Sequence, residues 1–219
     1  MKGLLIKDFK LLKNQRNFFI AIILVAVVFT VSPAQGSSFA VGYLTFVCSL
    51  FTLSTMSYDE LDNGYSFLFT LPFTRTEYIY EKYCFGFVVG GTIWLLSSII
   101  ACIHDAFTIP NANIIEWWLS YFMILSMLLI VLAFTIPLHL KFGSDKGRIC
   151  AAILFGIIFA GSYIIIKADK LTGIDFEKIL DSLSTKGLGS MTGIILLVSL
   201  TALGISMTIS LSIVKHKEF

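Results

Sequence analysis

Long uncharged runs alternate with short charged ones along this chain. From Asn17 to Tyr58 no residue is charged. A membrane-spanning helix takes about 20 apolar residues, so this run holds two. The stretch Ser-Pro-Ala-Gln-Gly-Ser-Ser at 32–38 divides it, because Pro, Gly and small polar residues punctuate helices. The pattern predicts spans at 18–31 and 39–56, then at 83–103, 116–140, 149–166 and 191–214. Six apolar helices without a strand pattern define an all-α, polytopic membrane fold in one domain covering 1–219.

The polar segments have structure of their own. In 1–16, Leu5, Phe9 and Leu12 recur at i, i+4 and i+7, with Lys7, Lys10 and Asn14 opposite. Leu4, Ile6 and Leu11 blur the stripe. This predicts a helix lying in the membrane interface, its lysines toward anionic lipid; the alternative is a plain basic flank of the first span. The basic stretch and the apolar run behind it are both too long for a signal peptide. In 167–190, Phe176, Ile179, Leu180 and Leu183 share a helical face, which predicts a short amphipathic helix before the last span.

Between the second and third spans lies an elbow, 57–82. Ser57-x-x-Glu60 and Thr74-x-x-Glu77 both fit a capping box, the reciprocal satisfaction of helix amides by a hydroxyl and a carboxylate. Pro72 lacks an N–H and disfavours helix at Leu71, so a short helix over about 61–70 should stop there. A new helix should start at Thr74. Further on, Gly86, Gly90 and Gly91 suit close helix packing. Trp117 and Trp118 fit an aromatic belt, Pro137 predicts a kink, and His139 reads as an interfacial residue.

Composition agrees with a membrane protein: 57% of residues are apolar and 14% charged, against roughly a quarter charged in soluble domains. Twelve of the Lys and Arg residues fall in 1–16, the elbow, 141–148 and the tail, and four fall in 167–190. The positive-inside rule then places both termini and the elbow in the cytosol and 167–190 outside. Cys48, Cys84, Cys102 and Cys150 stand singly, so neither a metal cluster nor a disulfide framework is expected. A phosphate-binding Gly-x-x-x-x-Gly-Lys-Ser/Thr is missing, as is His-Glu-x-x-His. Ionisable residues are nearly absent from the predicted spans, which argues against coupling to an ion gradient. Ser199, Ser206 and Ser210 share one face of the last span. They either line a path for a polar or amphipathic substrate or bond helix to helix.

The N-terminal Met-Lys-Gly-Leu-Leu-Ile-Lys7-Asp8-Phe-Lys, the six spans and the elbow together resemble the ABC-2 type permeases. In the elbow the telling residues are Glu60, Gly64 and Leu71-Pro72-x-x-Arg75. The small permeases of Gram-positive bacteria that export bacteriocin-like or phenol-soluble-modulin-like peptides are most similar. The resemblance implies a non-enzymatic membrane subunit whose ATPase is a separate chain that binds ATP and Mg; this chain is expected to bind no cofactor. It implies a coupling helix docked on that ATPase through Glu60, Asp62, Asn63, Gly64, Tyr65, Phe67 and Leu68, with Leu71, Pro72 and Arg75 setting its angle. It also implies a second permease, identical or different, around a shared path, and no nucleic-acid partner. The expected function is ATP-driven export of an amphipathic substrate, a peptide. The alternative is a membrane scaffold or sensory subunit that binds a cytoplasmic regulator through the elbow.

Overall fold

Each apolar run becomes a helix because a backbone in lipid has no water to satisfy its amides and carbonyls. The computed structural model describes residues 2–31, 36–61, 64–68, 70–108, 114–172 and 188–216, with only some side chains over 145–172. These residues form α1 (Lys2–Asn14), α2 (Arg16–Val31), α3 (Gly36–Glu60), α4 (Gly64–Leu68), α5 (Arg75–Thr108), α6 (Ile114–Thr172) and α7 (Leu188–His216).

Among the described residues, four helical stretches are long and apolar enough to cross a membrane: Gly36–Glu60, Arg75–Thr108, Ile114–Ser144 and Gly189–His216. The pair α1 and α2, bent by 64° at Gln15, makes a fifth if counted as one broken span. The sequence pattern predicts six. The 16 residues of α2 rise about 24 Å, short of the ~30 Å hydrocarbon core. The predicted fifth span lies where most side chains are undescribed. The predicted helix at 176–183 lies outside the described residues.

The bundle is built on α3, α5, α6 and α7. Its core near the elbow holds Met56, Tyr78, Ile79, Leu128, Leu132, Ile136 and Leu140. A second cluster joins Trp94 and Ala101, on later turns of α5, to Val41 of α3 and Tyr121 of α6. Gly86 and Gly90 lie one turn apart and let α5 approach its neighbours. A Cβ on Gly86 would come within 2.7 Å of Leu132 and 2.9 Å of Thr52, and one on Gly90 would strike Leu128. Gly91 faces open space, so the predicted packing role falls to the first two.

Two local expectations are corrected. Ser57 is not a cap: α3 runs through to Glu60, and the Ser57 hydroxyl donates to Leu53 O at 2.9 Å. The elbow helix is shorter than predicted, spanning Gly64–Leu68 before tight turns carry the chain to Leu71. A Cβ on Gly64 would lie 2.5 Å from Asp59 O, so the chain folds back directly onto the end of α3. Pro137 lies inside α6, which breaks at Gly143, with φ 79° and ψ −179°, between the predicted fourth and fifth spans. The second capping box is present: Thr74 N donates to Glu77 at 2.9 Å and Glu77 N to Thr74 Oγ1 at 3.2 Å.

Candidate functional site

Asp59 and Glu60 end α3. Carboxylates are poorly placed at a helix C-terminus, where the macrodipole is already negative. Their partners are therefore tertiary. Asp59 accepts from Lys7 of α1, lies 2.8 Å from Lys82 Nζ of α5, and accepts from the Tyr78 hydroxyl at 3.2 Å. Lys82 also pairs with Asp8 and donates to Thr55 Oγ1 at 3.3 Å, while its ammonium sits 5.2 Å above the Tyr78 ring. Lys7 lies 3.2 Å from Asp8 Oδ1. Lys82, Asp8 and Glu81 are wholly buried. The Glu81 carboxylate is 3.7 Å from Lys82 and has no hydrogen-bond partner among the described residues.

Two ammonium groups thus face three carboxylates where α1, α3 and α5 meet. Removing one member of such a buried set strands the rest, at a cost of about 3–5 kcal/mol. The set pins α1 to the bundle. Gln15, at the α1–α2 bend, adds a 2.9 Å hydrogen bond to Tyr58 OH. Among the described residues, no group of three or more His, Cys, Asp or Glu could hold a metal ion.

Glu60 turns the other way. It accepts from Ser144 N at 2.6 Å and lies 3.6 Å from Nε2 of buried His139. His139 is enclosed in the protein beside the α6 break. Arg75 reaches Val214 O at 3.3 Å. The N-terminal helix, the elbow, the α6 break and the end of α7 therefore gather at one end of the bundle.

The predicted contact residues separate into outward and inward sets. Phe67 (71% exposed), Leu71, Pro72 and Arg75 face outward, together with Leu61 (57% exposed), which sequence reasoning did not single out. Tyr65 and Leu68 turn into the chain's own core. Tyr65 packs edge-on to Tyr78, their hydroxyls 3.4 Å apart; burial pushes the Tyr65 phenol pKa up. Gly64 and Glu60 are half-buried. Asp62 and Asn63 lie outside the described residues.

The three serines of α7 are buried. Tyr83 OH lies 2.6 Å from Ser206 Oγ and 2.9 Å from Ser210 Oγ, and Ser206 donates to Ala133 O of α6. Ser199 donates to Leu196 O at 2.8 Å. In this arrangement Ser206 and Ser210 bond helix to helix.

A second polar cluster joins α3, α5 and α6 away from the elbow. Asp105 accepts from Ser37 and, at 3.3 Å, from Tyr121 OH, and His104 Nδ1 lies 3.2 Å away. Neither carboxylate cluster was found from the sequence. The available signals were Asp8, the one acid among five bases in 1–16, and Glu81-Lys82 directly preceding an apolar run.

Apolar helices of spanning length, bundled together, define a polytopic α-helical membrane protein. The family model described as ABC-2 family transporter protein matches residues 3–215, and the chain belongs to that family. It is a multi-pass plasma membrane protein and a permease subunit of an ABC transporter, whose membership implies an ATPase partner. No curated protein and no solved structure matches the chain.

Proposed function

We propose that this permease transmits ATP hydrolysis in a separate ATPase chain to the export of an amphipathic substrate, a peptide. The carrying observation is the exposed apolar surface of the elbow. Leu61, Phe67 and Leu71 project outward while Tyr65 and Leu68 anchor the same turn in the bundle core. An apolar surface held rigidly against a core suits a protein partner that must push. The Lys and Arg count puts this end in the cytosol, with both termini. ATP and Mg belong to the partner. A second permease, identical or different, completes the unit. Ser206 and Ser210 line a path when α7 withdraws from Tyr83. Apolar spans with few charges suit a substrate drawn from the membrane.

Affinity purification of the tagged chain from its native membrane, with mass spectrometry, tests the partner. An ATPase with a P-loop is expected, and Phe67→Asp should lose it at least tenfold while the permease still inserts. Recovery of no ATPase with the folded chain would favour the scaffold or sensory reading. Peptide export is tested in proteoliposomes holding permease and ATPase; absence of ATP-dependent peptide movement would refute that substrate class.

A further inference from the structure

The break in α6 is capped from a distance. After it, the helix restarts at Ser144, and the first amides of a helix have no intrahelical acceptor. A side chain at the N-cap position ordinarily supplies one. Here that position is Gly143, which has none. The acceptor is instead the Glu60 carboxylate, 84 residues away in sequence, 2.6 Å from Ser144 N. Its charge also suits the positive end of the helix dipole.

Gly143 meets two demands at once. Its φ of 79° is a conformation that glycine adopts freely. A Cβ there would also lie 2.7 Å from Glu60 Oε1, so any side chain would displace the cap. The bend itself is tight. A Cβ on Gly147 would lie 3.1 Å from the Cα of His139, whereas residues eight apart in a straight helix are separated by about 12 Å. His139, one turn before the hinge, adds its ring 3.6 Å from the same Glu60 oxygen.

We infer that Glu60 is a positioning residue that latches the elbow to the Gly143 hinge of α6. Glu60 is the last residue of α3, directly before the elbow, so a displaced elbow draws the cap from Ser144 and frees the two halves of α6 to change their angle. Asp59 holds α1 and α5 at the same point, while Glu60 links the end of α3 to this hinge. That the displacement comes from an ATPase rests on the function proposed above; the latch itself does not.

The test measures the hinge directly. In the full-length chain in lipid nanodiscs, with Cys48, Cys84, Cys102 and Cys150 replaced, spin labels at Phe134→Cys and Ile153→Cys report the distance between the two halves of α6. Glu60→Ala should shift and broaden the distribution, while Glu60→Gln, which still offers an oxygen acceptor, should keep the wild-type distance. Ser144→Pro removes the donor at a helix position that accepts proline. It should reproduce the Ala effect, and the double variant should add nothing further. It also keeps the test decisive if the Ala variant folds poorly. Distributions for Glu60→Ala and Ser144→Pro that superimpose on wild type would overturn the latch. These measurements need no ATPase, so a failure of the coupling proposal leaves them intact. With the ATPase bound, ATP should change the distance in wild type and lose that effect in Glu60→Ala; an unchanged ATP response in the variant would overturn transmission through Glu60.

Discussion

Lys82 is the residue on which the charge balance at the elbow end turns. Wild type carries two ammoniums against Asp8, Asp59 and Glu81. Lys82→Met leaves one against three and should cost about 3–5 kcal/mol, read as a lower unfolding temperature in detergent. Adding Asp8→Leu restores the original imbalance, so the double variant should be more stable than Lys82→Met alone. A double variant that is less stable would show that packing, not charge, dominates there. Glycine gives a second contrast at this scale. Gly90→Val must push Leu128 aside and should destabilise by about 1–3 kcal/mol, whereas Gly91→Val, facing open space, should stay within about 0.5 kcal/mol. Equal effects at the two sites would mean that helix propensity, not close approach, sets the cost.

Among the elements, α5 explains how charges and lipid-facing residues coexist on one helix. Its 34 residues rise about 51 Å, well beyond the ~30 Å hydrocarbon core. Its first turns can therefore carry Glu81 and Lys82 near the membrane surface while Phe87, Leu96 and Ile100 lie exposed further along. The start of α5 is fixed by the Thr74–Glu77 box. Thr74→Ala should cost about 1 kcal/mol, measured by thermal unfolding, and should loosen the elbow where it joins α5. α1 behaves differently from a free interfacial helix. Leu4 and Asp8 face the bundle, while Ile6 and Phe9 remain exposed to meet lipid.

For the molecule as a whole, the gathering of α1, the elbow, the α6 break and the end of α7 at one end gives the charge count something to act on. If that end is cytosolic, a fluorescent protein fused after Phe219 should fluoresce and an alkaline phosphatase fused there should stay inactive. The reverse pattern would invert the topology. The elbow then presents Leu61, Phe67 and Leu71 to the cytosol, and the two carboxylates behind it divide the load, Asp59 toward α1 and α5 and Glu60 toward α6.

Helical class, membrane residence, the position of the elbow and its second capping box were legible in the residues alone. Each rests on local composition or on contacts three or four residues apart, which periodicity and punctuation report. Partnerships of long sequence separation were not. Glu60 and Ser144, Asp8 and Lys82, and Tyr83 and Ser206 meet only when the helices pack, and nothing in the local pattern names a partner. The elbow helix came out shorter than its pattern because Gly64 folds the chain back against Asp59. The break of α6 at Gly143 falls between the predicted fourth and fifth spans, but the carboxylate from another helix that caps the turn there was not legible. The residues determined by themselves that the chain enters lipid as helices; the tertiary structure decided which buried charges pair, since a charge taken from water must find a counter-charge wherever the fold brings one.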